Sequence, residues 1–572
     1  MSAGASFMKG LFFGSIEAAD VVPYPTMPEA DTRRVDALLA KLRRLSASSV
    51  DSASIDADAR IPEAVMRGAR ELGLFGLLIP EPYGGGGMSM SAFARVMQEL
   101  AGVDASLALT VGAHQTLGAM SIARFGTESQ RAAYLPRLTS GAELAAFALT
   151  EAGAGSDAAS ISSHAEVRPG GYVLRGAKVW VIGGDTAGVF TVFARTSPRG
   201  DDGAKPRLTA FLVERDFGVR SGPPEPKIGV RGTPTTTLHF DEVFVPAANV
   251  LGEVGRGFKV AMETLNGGRL CLAAGCVGQS KRILALATLR CTERRAFGRP
   301  IGQFGLIKDK IACMLAETFA LESAVYMTTR MVDARALDYS VESAICKVMG
   351  SEVVMRVASE AMQIAAGYGY AQGQPFERLL RDARANLVFE GTNEILRCFI
   401  ALSGMSAPGA AHSGVGAAMR EPIKGFGLLS EFALRTARSA LGRDRFSGTH
   451  AALSRETATF ETYAQALERI VQQALRTHGK NIAEMQYTQR RIADVAIDLY
   501  AVACVISRTS LVLDKRGEEG ARRELDLTVM FVGMAERRLA AAVSSFEKND
   551  DELRKSIADR AYADGGYPFD VI

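Results

Sequence analysis

Apolar positions recur at helical spacing through the first quarter of the chain. Val35, Leu38, Leu39, Leu42 and Leu45 fall three or four residues apart and so share one face of a helix. Val65, Ala69, Leu72 and Leu74 make a second such face. Phe93, Val96, Met97 and Leu100 make a third, which continues through Leu117 and Ile122. Between the second and third stands Pro80-Glu-Pro-Tyr-Gly-Gly-Gly-Gly87. Four glycines suggest a phosphate loop, but no Gly-Lys-Ser/Thr follows and no clear strand precedes, so a turn between helices is expected.

The period changes near Ala145. Short β-like runs cover 145–150, 172–182, 189–196, 208–214 and 235–245, punctuated by Gly170-Gly171 and Gly183-Gly184-Asp185. They predict a small antiparallel β domain. Helical spacing returns after Gly257 and holds to about Leu402, with Ile307, Ile311, Met314, Leu315 and Phe319 as an apolar stripe. Residues 404–427 are rich in Gly, Ala, Ser and Pro and read as a linker. Two more stripes follow, Phe460 to Leu475 and Ile492 to Ile506, each expected in a core or a subunit interface. The expected fold class is α+β, mostly α. Its parts are a lead-in (1–34), a helical domain (35–145), a β domain (146–252), a helical bundle (253–404), a linker (405–430) and an additional helical domain (431–572).

Composition narrows the function classes. At 572 residues, 47% hydrophobic and 23% charged, the chain has apolar material for about four packed domains. That excludes disorder as the main theme. A net charge of +3 argues against a dedicated nucleic-acid binder. The seven cysteines form no CxxC and have no histidine at zinc-ligand spacing, so no metal site is expected, and buried reduced thiols fit a reducing compartment. The longest clean apolar run, Leu499 to Ile506, is far short of a spanning helix, and the N-terminus lacks a basic leader. These features point to the cytoplasm.

Four segments could carry chemistry. Phe147-Ala-Leu-Thr-Glu-Ala-Gly-Ala-Gly-Ser-Asp157 is a strand end followed by a loop whose hydroxyls and N–H groups suit a flat heterocycle or a phosphate. It is equally a solvated turn when read alone. Lys178-Val-Trp-Val-Ile-Gly-Gly184 contains the only Trp, which packs in a core or stacks on an aromatic cofactor. Arg294-Arg-Ala-Phe-Gly-Arg-Pro-Ile301 suits pyrophosphate, or is a solvated helix end. The fourth joins Gln363-Ile-Ala-Ala-Gly-Tyr-Gly369 to Phe389-Glu-Gly-Thr-Asn-Glu-Ile-Leu-Arg397. There a carboxylate beside Phe389 would have its pKa raised by desolvation, as suits a general base, whereas a lone Glu is more often a cap or a surface residue.

In this order and spacing the four segments resemble the acyl-CoA dehydrogenase family over nearly the whole chain. Glu81 to Gly85, Phe125-Gly-Thr-Glu with Tyr134-Leu-Pro, and Pro246 with Asn249-Val-Leu-Gly252 are similar to further family segments. The helical part after about residue 405, the lead-in Ser6 to Pro25 and Phe304-Gly-Leu-Ile307 resemble the very-long-chain subgroup, which includes a complex I assembly member.

The resemblance implies an FAD enzyme that converts a long-chain acyl-CoA to trans-2-enoyl-CoA and passes electrons to an electron-transfer flavoprotein. Glu390 would be the base. Phe147, Leu149, Thr150, Gly155 and Ser156 would wrap the flavin, and Trp180, Val181 and Ile182 would lie against its ring. Arg294, Phe297, Gln363, Ala366 and Gly367 would reach it from the neighbouring subunit of a homodimer. Thr392, Asn393 and Glu394 would line the phosphate end. Ser156, Arg269, Phe389, Glu390 and Gly391 would meet substrate. A peripheral membrane contact through 405–430 is also implied, at the inner face of the membrane. Several positions depart from the family pattern: Ile182 stands for a usual Thr or Ser whose hydroxyl bonds the flavin, Gly183 for Asn, Ala152 for Pro and Ala366 for Gly. These departures leave slow turnover, an oxygen-using or unusual-thioester relative, and a scaffold protein as alternatives to full dehydrogenase activity.

Overall fold

A computed structural model describes residues 6–196, 207–334, 338–406 and 445–570. Most of the expected linker and its membrane contact, 407–430, lie outside the described residues. The chain opens with helix α1 (Phe7–Phe12), capped by Ser6. The Ser6 hydroxyl and the Met8 amide both donate to buried Glu342, and Lys9 pairs with Asp338 at 2.6 Å, so the lead-in is pinned to the helical bundle.

The first layer is helical: α2 (Glu29–Ser49), α3 (Ser52–Ala57), α4 (Glu63–Glu71), α5 (Met90–Val103), α6 (Ala105–Ala113), a π-helical turn (His114–Ala119), α7 (Met120–Phe125) and α8 (Glu128–Thr139). The four glycines form the expected turn. The amides of Gly86, Gly87 and Met88 bond to the carbonyls of Gly76, Ile79 and Leu77, so they are not free to cradle a phosphate. A Cβ on Gly85 would lie 1.9 Å from the Ile79 carbonyl oxygen, so only glycine fits that approach.

The β domain holds β1 (Ala145–Ala148), β2 (His164–Arg168), β3 (Gly171–Ile182), β4 (Val189–Arg195), β5 (Leu208–Glu214), β6 (Arg220–Ser221), β7 (Thr235–Pro246) and β8 (Val250–Leu251). Their order is β6-β7-β3-β2-β4-β5-β8, with β1 beside β4. The sheet is mostly antiparallel, as expected, but β1 pairs with β4 in parallel and β2 meets β4 in parallel at His164 and Arg195. The β2–β3 hairpin lies between β1 and β4 along the chain and supplies the crossover that their parallel pairing needs. Strand β2 escaped the sequence reading because Ala165 alone of its five residues is buried.

The bundle comprises α9 (Gly257–Glu293), a ribbon of β9 (Arg295–Ala296) and β10 (Arg299–Pro300), α10 (Gly305–Asp333), α11 (Ser340–Ala365), α12 (Gly367–Tyr370), α13 (Pro375–Ala385) and α14 (Asn393–Gly404). Leu315, expected in the apolar stripe, is exposed, while Met314 and Phe319 are buried. Among the described residues four α-helices follow: α15 (Ser454–His478), α16 (Gln486–Gly520), α17 (Arg522–Glu547) and α18 (Asp551–Asp564). The first three share one continuous apolar core with the bundle, reaching from Phe7 to Leu539, whereas α18 buries no residue. Helices α9, α10 and α16 are long and apolar enough to cross a membrane, contrary to the expectation from unbroken apolar runs, which interspersed polar residues had cut short. Most of each apolar window is buried inside the protein itself.

Candidate active site

Helix α13 ends at Ala385, and the chain turns before α14 starts. Glu390 takes φ 60° and Gly391 takes φ 96°, two successive left-handed residues. Such backbone is costly for Glu and persists only where its surroundings enforce it. Lys347 on α11 donates to the Gly391 carbonyl (2.7 Å) and the Asn393 side-chain oxygen (2.8 Å). Arg269 on α9 donates from Nε to the Glu390 carbonyl (3.2 Å) and from Nη1 to Asn266 (3.0 Å), and lies 5.4 Å from the centre of the Phe399 ring. Thr392 caps α14 through the Ile395 amide. The carboxylate itself is tightly seated: a Cβ on Gly268 would come 2.8 Å from Glu390 Oε1.

Glu390 Oε2 is buried with no hydrogen-bond partner. Burial pushes its carboxyl up to about 7, with Arg269 and Lys347 opposing the rise. Burial likewise brings Lys347 down to about 7 and Arg269 down to about 10. An unpaired carboxylate tuned near neutrality is what proton abstraction at neutral pH requires. It faces a largely apolar cavity of about 70 Å³ between α5, α6 and α9, lined by residues that include Ala101, Ala105, Ala108, Gly112, Gly275 and Phe389. Ile182, from the end of β3, lines the same cavity.

The β-domain segments converge on this strand end. The Val179 amide bonds the Thr150 carbonyl at 2.9 Å, setting the loop that carries Gly155 and Ser156 beside Trp180. Trp180 takes φ 59° and stays 56% exposed, which is not the placement of a core tryptophan. Two of the expected site residues, Val181 and Asn393, are buried. Val181 is buried in the sheet core, so it offers its backbone but no side chain to a ring lying on the strand. Asn393 is also buried, with its amide bonded to Lys347, Ser351 and Glu352, and so orders the turn that carries Glu390. Leu149 is buried, Phe147 packs on Phe193, and Glu394 is exposed.

Arg294, Phe297, Gln363, Ala366 and Gly367 lie apart from the cavity, on the exposed surface of the bundle. Phe297 is 94% exposed at the tip of the β9–β10 ribbon. Arg290, four residues before Arg294, stacks 4.4 Å over the Tyr368 ring and draws the two exposed segments together. Ala366 holds φ 54°, ψ −139°, a conformation natural to glycine. Ala366→Gly is therefore expected to stabilise the protein by about 1 kcal/mol, read as a rise in chemical-denaturation midpoint.

Sequence reasoning missed Lys347, Glu352 and the buried Glu151–Lys178 pair. A lone lysine inside Ala344-Ile-Cys-Lys-Val-Met349 was the available signal, since a charge in so apolar a helix must have a purpose-built partner.

Family profiles match at every level of this architecture. The acyl-CoA dehydrogenase N-terminal domain matches residues 32–142, the middle domain 146–243 and the C-terminal domain 255–405. The chain belongs to the acyl-CoA dehydrogenase family, whose members are FAD-dependent oxidoreductases acting on acyl-CoA. Its last part matches the ACAD9/ACADV C-terminal domain over 451–567, which places it with the members that carry this extra domain. It is 41% identical to the very long-chain specific acyl-CoA dehydrogenase, mitochondrial, of Bos taurus, covering 91% of this chain and 81% of that one. The FAD complex of an acyl-CoA dehydrogenase from Bacillus anthracis superposes with a TM-score of 0.79 at 29% identity, covering 100% of this chain and 97% of that one. Butyryl-CoA dehydrogenase from Megasphaera elsdenii gives 0.62 at 33% identity and covers 99% of its own chain but 66% of this one.

Proposed function

We propose that Glu390 removes the α proton of an acyl-CoA thioester and that the cavity it shares with Ile182 is the slot for the reacting carbons. The observation that carries this reading is the unpaired, buried Oε2 facing a cavity that the β3 strand end also lines. The residues present fit FAD: an exposed indole on β3, an open glycine loop beside it, and no backbone or side chain within 4 Å of a Cβ built on Gly153 or Gly367. FAD when bound supplies the hydride acceptor. The chain's own residues exclude water with apolar walls, hold the base unpaired, and present the Glu390 backbone N–H to the thioester oxygen, where enolate charge develops.

The surface group of Arg294, Phe297, Gln363, Ala366 and Gly367 meets the flavin of a second subunit in a homodimer. Exposure of Phe297 at the ribbon tip, beside the exposed Gln363, Ala366 and Gly367 segment that Arg290 draws near, supports this. A slot walled by alanine and glycine supports long-chain substrates. Gly268 and Gln279 are eleven steps apart along α9, about 16 Å. Met97 lines the slot, and its pliable side chain suits a wall that must give way to an entering chain. Electrons leave to an electron-transfer flavoprotein. The seven unpaired thiols suit a reducing compartment, which we take to be the cytoplasm; the Bos taurus relative is named as mitochondrial.

Anaerobic bleaching of the flavin by acyl-CoAs of graded length tests the reading. Failure of every thioester to bleach the wild-type flavin would sink it. Ile182→Thr restores a hydroxyl at the strand end and is expected to raise the bleaching rate about fivefold, the worth of roughly one hydrogen bond of about 1 kcal/mol. Stopped-flow absorbance checks this, and an unchanged or slower rate would show that the side chain does not serve the reaction.

A further inference from the structure

Helix α16 of the C-terminal part reaches the candidate base through an unbroken series of polar contacts. Asp494 on α16 accepts from Arg397 Nε at 2.7 Å. Arg397, one turn into α14, forks onto Glu352 of α11 at 2.7 and 3.2 Å. Glu352 accepts from the Asn393 amide at 3.2 Å. Asn393 accepts from Lys347 Nζ, and Lys347 donates to the carbonyl of Gly391, the residue after Glu390. Glu352 is held below the usual carboxylate range by Arg397 despite its burial. The guanidinium of Arg397 thus joins two elements from opposite sides, with a bidentate grip on one and a single bond to the other.

Two features set this apart from ordinary surface pairing. The Arg397 side chain is 18% exposed, so its pairs are far less screened than exposed ones. The series also ends on a strained turn: φ values of 60° and 96° at Glu390 and Gly391 need outside support, and Lys347 and Arg269 supply it. Arg490 stands 3.6 Å from the other Asp494 oxygen and Arg356 4.0 Å from Glu352, and neither is so placed as to reach the turn.

We propose that Asp494 is a positioning residue. Acting through Arg397, Glu352, Asn393 and Lys347, it fixes the peptide that carries Glu390, so the additional helices tune the geometry of proton abstraction as well as completing the core. The proposal rests on the reading of Glu390 as the base.

The test compares Asp494→Asn with Asp551→Asn in the FAD-loaded full chain. Asp551 pairs bidentately with Arg491 at 2.6 and 2.7 Å, joining α16 to α18 without touching α14. Asp494→Asn is expected to lower kcat about ten- to a hundredfold with KM nearly unchanged, because misplacing the base slows the reaction without weakening thioester binding. Deuterium uptake by the peptide covering 386–397 should rise in the same variant. Asp494→Glu should recover most of the kcat. Asp551→Asn should lower stability and leave kcat and the 386–397 exchange as in the wild type. Equal behaviour of the two asparagine variants in kcat and exchange would overturn the proposal, and so would a lower kcat without faster exchange. Glu390→Gln, assayed alongside, separates the readings: if it keeps turnover the base assignment has failed, and if it is dead while Asp494→Asn is normal only the relay has failed.

Discussion

Glu390→Gln is expected to cost about 10²- to 10⁴-fold in kcat while leaving flavin and thioester binding in place. The amide keeps the size of the carboxyl and its fit against Gly268, but has no basic lone pair for the α proton. The wild-type pH profile sharpens the expectation. Burial holds the Glu390 carboxyl near 7 and only its ionised form accepts a proton, so kcat/KM should fall as pH drops through about 7. Stability moves the other way. Between the ordinary range of a glutamate and about 7, the folded protein keeps a proton that the unfolded chain has lost, so the residue costs stability as pH rises through that window. Above pH 7 the glutamine variant should therefore unfold at higher denaturant than the wild type, a trade of stability for function. Steady-state profiles from pH 5.5 to 9 and urea melts at both ends check it. A variant that is both active and less stable at pH 8 would contradict both halves.

The local pattern carried the elements well, and the contacts between them poorly. Helical stripes such as Val35 to Leu45 and Phe460 to Leu475 match α2 and α15, because periodicity reports which face a helix buries. It does not report how partly polar elements pair, hence the missed β2 and the parallel β1–β4 contact. The α+β class and the family were legible because motif order along the chain survives even where single residues drift. Glu390 stood out as the candidate base because its motif is contiguous. Its supports did not: Lys347 lies 46 residues from Asn393, and Arg397 lies 97 from Asp494, separations that no window of sequence spans. The buried placement of Val181 and Asn393 marks one limit of such a motif. The motif identifies the segment that approaches a cofactor, while burial decides which side chains of that segment face it.

Lys178→Ala is expected to destabilise the fold by about 3–5 kcal/mol, the usual cost of leaving one member of a buried pair alone. Lys178 is fully buried on β3 and donates to the Leu149 carbonyl (3.0 Å) and to Glu151 (2.7 Å). Glu151 also accepts from the Ser162 amide and hydroxyl and the Ser163 amide, so the pair closes both ends of the loop that carries Thr150, Gly155 and Ser156. Burial raises the Glu151 carboxyl, but Lys178 and these hydrogen bonds outweigh it and hold the group at about 2. A depressed carboxyl adds stability above its unfolded value and loses it as pH falls towards 2. Without Lys178 the burial effect dominates, and Glu151 takes up a proton at much higher pH. The gap between variant and wild type should therefore be widest near pH 7 and narrow in acid, and purified variant should carry less flavin. Lys178→Met with Glu151→Gln removes both charges at similar volume and should recover much of the loss. Urea unfolding at pH 7 and pH 4 decides the cause: a gap that stays constant would assign the loss to the cavity left by the lysine stem, and a gap that closes assigns it to the stranded carboxylate.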